Sequence, residues 1–298
     1  MVHNSLNQNS TERNMRYCGR DFIEEELSWI RQLISDRPEI SRKDISILFC
    51  QKANWLKPDG GLKDMSCRVA MLKMERDGHF VLPPPKKKHT KPYKKIRTLW
   101  AIEQPEIKKK AGKFNLVLEV VDSRSSALWN EFIDRYHYLG YKALPGAQLR
   151  YFVKSEGQIL ALLGFGAAAW KTAPRDTYIG WDKPTRKKNL HLVVNNARFL
   201  ILPWVHSKNL GSKILSLASK RISTDWEKRY NYRPVLLETF VEKQRFQGTC
   251  YKAANWIGVG ETRGKGKLGN RDGEVPIKSV WLYPLCSDFR NQLYGSVQ

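Results

Sequence analysis

Three consecutive prolines, Pro83, Pro84 and Pro85, followed at once by Lys86-Lys87-Lys88-His89-Thr90-Lys91-Pro92-Tyr93-Lys94-Lys95, divide this chain in two. Proline lacks the amide hydrogen that helices and interior strands need, so neither element can run through the segment. The stretch reads as an extended basic strap with a folded core on each side of it. At 298 residues the chain is long enough for two such cores, and a hydrophobic content of 41% with ten Trp offsets the chain entropy lost on folding.

The pattern on the two sides differs. Residues 1–20 are polar, rich in Asn and Ser, and are expected to form a flexible tail. Residues 21–85 are expected to form a helical domain. Phe22, Ile23, Leu27, Ile30, Leu33 and Ile34 recur at helical spacing. Ser41 with Asp44 forms a capping pair ahead of a second helix. A third helix is expected over 62–76, with Met65, Val69, Leu72 and Met74 inward and Lys63, Arg68, Lys73 and Arg76 outward. A turn at Asp77-Gly78 then leads into a short hairpin, which makes the whole a winged helix-turn-helix-like reader. An all-helical cap with a solvated basic face is the competing reading.

Residues 86–112 form the basic linker, and from 113 to 298 strands alternate with helices. Strands are expected over 116–121, 148–153, 158–165, 196–203, 235–241, 257–262 and 279–283, with helices over 125–138, 211–229 and 248–256. Ser155-Glu156-Gly157 joins the second and third strands as a hairpin. The fold class is therefore α+β, a helical reader followed by a mixed-sheet α/β domain.

Lys and Arg number 52 against 29 acidic residues, a formal charge of +23, and an excess of that size seeks a polyanion. The expected partner is DNA, single- or double-stranded. Five scattered cysteines without paired spacing indicate neither a disulfide framework nor a zinc site. With no signal peptide and no apolar run of membrane length, a cytoplasmic location without membrane contact is expected.

The strand order, with a loop-to-helix turn after the central strand, resembles the GNAT acyltransferase fold. In that fold a pyrophosphate rests on backbone N–H groups at a helix start. The corresponding turn here, His206-Ser207-Lys208-Asn209-Leu210-Gly211, keeps one glycine and has Asn209 in place of another. The resemblance implies Tyr251 as a general acid, with Glu238 or Glu242 as base and acetyl-CoA as donor. Packing of Tyr251 and Trp256 in a core is the alternative.

Longer phrases are more specific. Arg135-Tyr136-His137-Tyr138-Leu139-Gly140, Gly146-Ala147-Gln148-Leu149-Arg150-Tyr151, Asn195-Asn196-Ala197-Arg198-Phe199-Leu200-Ile201-Leu202-Pro203 and Gly248-Thr249-Cys250-Tyr251-Lys252-Ala253-Ala254-Asn255-Trp256 resemble the signature blocks of the Druantia DruA family. That resemblance implies a role in bacterial anti-phage defence or in mobile elements, with other defence subunits or a transposase as partners. His137, Gln148, Arg150, Arg175, Asp176, Asn195, Asn196, Arg198, Glu238, Thr239 and Tyr251 are expected to converge on one cleft that grips phosphate and reads base edges.

Trp170, Trp181 and Trp204 lie among Lys171, Arg175, Lys183, Arg186, Lys187 and Lys188, a pattern suited to a base-stacking groove, with packing as the rival explanation for each Trp. Arg263, Lys265 and Lys267 add a glycine-rich basic loop. A catalytic alternative is strand cleavage or transfer, with Tyr251 as nucleophile beside His137, or with Asp122, Asp176 and Glu238 around Mg²⁺. No metal-ligand spacing singles out a site.

Overall fold

The computed structural model describes residues 15–85, 97–98, 100–264 and 276–295, so Lys86, Lys87, Lys88, Lys265 and Lys267 lie outside the described residues. The chain divides into two units, Met1–Tyr93 and Lys94–Gln298.

The first unit opens on a hairpin of β1 (Met15–Tyr17) and β2 (Arg20–Phe22), whose turn residues Cys18 and Gly19 take φ of 49° and 80°. Two left-handed residues in succession match the strand twist of a two-residue hairpin. Then come α1 (Glu24–Asp36), α2 (Arg42–Lys52) and α3 (Asp64–Arg76). The Asp44 amide donates to Ser41 Oγ at 3.1 Å, the cap expected from the sequence.

Two expectations are corrected here. The buried face of α3 consists of Cys67, Ala70, Met71 and Met74, while Met65 and Val69 are 59% and 44% exposed. Small residues let α3 pack closely against α2, with Cys50 and Cys67 both fully buried. Met74 is buried and Leu72 partly buried as expected, but a pattern weighted toward large side chains also turns Met65 and Val69 inward, where the structure has Cys67 and Ala70. No strand forms after α3 among the described residues of this unit; the hairpin precedes α1. The backbone of that segment is instead bonded to helix side chains, with Arg31 Nε on His79 O, Glu75 Oε1 accepting from Leu82 N–H, and Arg42 Nε on Pro83 O.

The second unit contains β3 (Ile107–Lys108), β4 (Val117–Val120), α4 (Ser126–Tyr136), β5 (Gln148–Ser155), β6 (Gln158–Ala167), α5 (Ala173–Ile179), α6 (Lys183–Asn189), β7 (Val193–Ile201), β8 (Val205–His206), α7 (Leu210–Tyr230), β9 (Leu236–Glu242), α8 (Thr249–Ala253), β10 (Ile257–Glu261), β11 (Lys278–Pro284) and α9 (Phe289–Tyr294). Seven strands form one mixed sheet in the order β10-β11-β9-β7-β6-β5-β4, antiparallel except for β7 and β9. Those two are parallel because the 21-residue α7 lies between them in sequence and carries the chain back across one face. This is the mixed-sheet α/β architecture that the GNAT resemblance implied.

Helices cover both faces of the sheet. Tyr151 reaches Asp225 of α7 at 3.0 Å, and its neighbour Arg150, pointing the other way along the strand, reaches Asn130 and Ser126 of α4 at 2.7 and 2.9 Å. On the α4 side Trp129 lies over Gly164, where an added Cβ would come within 3.1 Å of the ring. Phe165, Leu163, Tyr151, Ile214, Ile222 and Trp226 are among the fully buried residues of the resulting core.

A smaller apolar cluster beside β9 and β11 surrounds a buried ionic network. Arg175 Nη1 bonds Glu238 Oε2 at 2.8 Å, and both side chains are fully buried. Ala169 N–H donates to the other Glu238 oxygen, while Asp176 is shared by Arg175, Arg186 and the Trp181 indole N–H. Burial pushes the Glu238 carboxyl up, against the pull of the Arg175 guanidinium. Removing one member of such a pair leaves an uncompensated charge in a dry interior. Arg175→Ala is therefore expected to lower unfolding stability by about 3–5 kcal/mol in a denaturant titration, and a loss below about 1 kcal/mol would contradict this description of the network.

Candidate functional site

The site begins where the parallel strands part. β7 and β9 pair only from Val193↔Leu236 to Asn195↔Glu238, after which β7 continues to Ile201 and β9 to Glu242. A cleft of about 840 Å³ opens between the diverging strands, lined by residues of β7, β9, α8 and the end of α4. That volume accommodates a nucleotide-sized ligand.

Divergence leaves backbone groups without ladder partners, and polar side chains take their place. Thr239 Oγ1 donates to Asn196 O at 3.0 Å, bridging the gap. Asn196 Nδ2 donates to Arg198 O at 3.1 Å, and its Oδ1 accepts from the Tyr251 hydroxyl at 2.8 Å. Burial raises the Tyr251 pKa well above the ordinary phenol value, so the hydroxyl stays protonated and acts as a donor. The register also shifts across β6 and β7, with Gly164 opposite Arg198 and Phe165 opposite Asn196, so Ala197 is an extra residue. A bulge of this kind re-aims the side chains around it.

Arg198, Arg245 and Lys278 are the cationic residues that line the cleft, and Arg198 is the one on β7. Arg198 donates Nη1 to Ala197 O at 2.7 Å and forms no ion pair with a carboxylate among the described residues. Its Nε and the Asn195 Oδ1 are both buried without a hydrogen-bond partner. Burial lowers the Arg198 pKa. His137, just past the end of α4, is also partly buried, and burial followed by the Arg198 charge pulls its pKa from 6.5 down to about 4. Leu139 N–H donates to His137 Nδ1 at 3.2 Å, which assigns the proton of the neutral ring to Nε2.

An aromatic rim surrounds this core. His137 stacks on Tyr138 at 4.9 Å, Phe246 lies 5.5 Å from Tyr138, and the Arg245 guanidinium sits 5.2 Å over the Tyr138 ring. Arg245 and Phe246 escaped sequence reasoning because they occupy a loop with no periodicity. Their one signal was an Arg-Phe pair in the turn after β9, with two residues between it and the end of the strand.

Of the residues expected to converge, the cleft gathers His137, Asn195, Asn196, Arg198, Thr239 and Tyr251. Glu238 adjoins Thr239 on β9 and therefore points to the opposite face, where it joins Arg175 and Asp176 in the buried network. Arg150 lies beyond Trp129, its guanidinium 5.2 Å over that ring, and the Gln148 backbone is tied to the Tyr230 hydroxyl at 2.7 Å. Asp122 bonds Ser125 at 2.7 Å at the start of α4, apart from Glu238 and Asp176.

No group of three or more His, Cys, Asp or Glu that could hold a metal ion occurs among the described residues. Trp181 and Trp204 are buried at 7% and 4% exposure and present no stacking face, which corrects the expected tryptophan groove; Trp170 is exposed. Arg263 is exposed just past β10. In the first unit Lys73 is exposed, Lys63 is half-buried, and Arg68 bonds Asp64 at 3.0 Å. No helix of the described residues is long and apolar enough to cross a membrane.

The family described as Druantia protein DruA matches residues 73–274, a span that includes every residue gathered in the cleft except Lys278. No curated protein matches the chain. Among solved structures, spermidine N-acetyltransferase from Vibrio cholerae in complex with CoA and spermine is 9% identical over 57% of this chain and 95% of that one, with a TM-score of 0.40. A polyamine N-acetyltransferase from Drosophila melanogaster is 11% identical over 57% of this chain and 100% of that one, with a TM-score of 0.35.

The environment of His137 has a measurable consequence. Its folded-state pKa lies below the unfolded value, so folding holds the ring neutral, and that contribution is lost as pH falls from 6.5 towards 4. Comparing unfolding at pH 7 and pH 4.5, the wild type is expected to lose more stability than His137→Gln. Equal losses would mean that the ring is not held neutral.

Proposed function

The chain belongs to the Druantia protein DruA family, and from that membership we propose that it is the nucleic-acid-binding protein of a bacterial anti-phage defence system or mobile element, with the cleft between β7 and β9 taking a nucleotide of the bound strand. The observation that carries the reading is Arg198, a desolvated guanidinium without a carboxylate partner among the described residues, placed in a cleft beside a neutral imidazole. Buried cations need an anion, and a phosphate fits the guanidinium fork. His137 Nε2–H adds a donor and Asn195 Oδ1 an acceptor for a base edge or sugar hydroxyl. Tyr138 and Phe246, 39% and 50% exposed, offer faces on which a base stacks. The excess of +23 supplies long-range attraction for the rest of the strand. Other subunits of the defence system, or a transposase, complete the set of partners.

Tyr251 is a positioning residue in this reading. Its hydroxyl is donated to Asn196 and held protonated by burial, which suits a fixed donor better than a nucleophile. Glu238 and Asp176 neutralise Arg175 on the far face, so no step through Mg²⁺ is assigned to them.

The resemblance to an acyltransferase fold does not extend to its phosphate turn, where Asn209 stands in place of a glycine. Gly211 at the start of α7 packs against α8, where an added Cβ would come within 3.2 Å of Cys250 Cβ. No acyl-transfer step is derived.

Two measurements test the proposal. Fluorescence anisotropy with a labelled oligonucleotide is expected to show binding that weakens roughly a thousandfold between about 50 and 200 mM salt, as for about six phosphate contacts. Arg198→Ala should weaken it a further tenfold to hundredfold, corresponding to about 1.5–3 kcal/mol for hydrogen bonds to a charged group. Salt-independent binding, or full affinity in the variant, would reject the cleft as the site. In a thermal-shift titration acetyl-CoA is expected to leave the melting temperature unchanged. Stabilisation of about 2.7 kcal/mol at a hundred times its dissociation constant would instead establish it as a ligand.

A further inference from the structure

A second hollow, of about 810 Å³, lies at the start of α7 and is lined by Lys108, Lys109, Lys110, His206, Lys208 and Lys213 together with Ser207, Asn209 and Ser212. It is assembled from two distant stretches of chain. Parallel pairing of β3 with β8 sets Ile107 against Val205 and Lys108 against His206. Lys213 Nζ then donates to Ala111 O and Phe114 O at 2.9 and 3.1 Å, closing the loop over the hollow.

The charge of the hollow is only partly offset. Lys108 meets Glu106 at 2.6 Å and Lys109 meets Glu156 at 3.0 Å, both exposed pairs in which the lysines keep much of their field. Lys110 and Lys208 form no ion pair among the described residues, and Ser207 Oγ is buried without a hydrogen-bond partner. The 21-residue α7 starts here with no side-chain cap, and its first amides and helix dipole add to the positive potential. Asn209 makes the abrupt entry possible by adopting φ of 66°.

We propose that this hollow is a second anion site that holds backbone phosphates of the bound nucleic acid, with Lys110 and Lys208 as its principal contacts. The inference rests on the nucleic-acid reading of the cleft and extends it to a separate surface of the same unit. Phosphodiester is the occupant rather than a nucleotide cofactor, because the lining of the hollow offers lysines and hydroxyls for phosphate but no Phe, Tyr or Trp face on which a nucleotide base would stack.

The test compares wild-type protein with Lys110→Ala/Lys208→Ala and with a control, Lys220→Ala/Lys228→Ala, which removes the same charge farther along α7. Affinity for a labelled single-stranded oligonucleotide is measured across a salt series. The Lys110/Lys208 variant is expected to bind more weakly, with a slope of log K against log salt shallower by about 1.4, or about 0.7 for each phosphate no longer neutralised. The control should keep the wild-type slope. If both variants change equally, or neither changes while the wild type binds, the hollow is not a phosphate site although the cleft reading stands. If the wild type binds no oligonucleotide, both readings fall. Displacement of the oligonucleotide from the wild type by coenzyme A, and not from the Lys110/Lys208 variant, would reassign the hollow to a nucleotide cofactor and overturn the proposal.

Discussion

The separation of β7 from β9 after three paired residues is the constraint on which the second unit depends. A continuous sheet satisfies its own backbone, whereas a sheet that opens must find other partners for the exposed amides and carbonyls. In this chain the partners are Thr239 and Asn196, and the Tyr251 hydroxyl in turn holds the Asn196 amide. That requirement explains polar residues Asn195, Asn196 and Arg198 in a strand that is otherwise apolar: they lie where β7 leaves β9, while Phe199, Leu200 and Ile201 beyond them both pack against the core and line the cleft.

Two arginines illustrate how the same side chain acquires opposite meanings. Arg175 is fully buried with Glu238 and Asp176, its charge neutralised and its donors occupied. Arg198 is half-buried with a single bond to a backbone carbonyl and a buried Nε left over. The first holds one face of the sheet together. The second retains unmet demand for an anion, and the desolvation that keeps His137 neutral acts on the same patch. A buried ion pair is committed to structure, and an unpaired cation at a cleft is available for a ligand.

Much of the second unit was legible because its elements are long and periodic. The apolar stripe of α7 and the β5–β6 hairpin, whose Glu156 and Gly157 turn residues take φ of 51° and 79°, follow from local chemistry. The helices α5, α6 and α9 were not legible, since each has six or seven residues and is stabilised by neighbours rather than by its own pattern. The stripe of α3 was half legible: Met74 and Leu72 face inward as expected, whereas Cys67 and Ala70 take the places expected of Met65 and Val69 because they gain their burial from proximity to α2, and nothing in their own size announces it. Trp181 and Trp204 were misplaced for a related reason: basic neighbours in sequence left their rings free to turn inward.

The residues that compose the cleft could be named from sequence as a set of polar side chains too numerous for a scaffold, yet the set divided in space. Strand alternation sent Glu238 to one face and Thr239 to the other, and only the pairing of β9 with β7 decides which face holds the opening. Composition by itself determined that the chain is strongly cationic and has enough apolar residues to bury a core, because charge and hydrophobic content are sums over residues. Which cations remain unneutralised was decided by tertiary structure alone, since that depends on the carboxylates that distant segments bring within reach of each one.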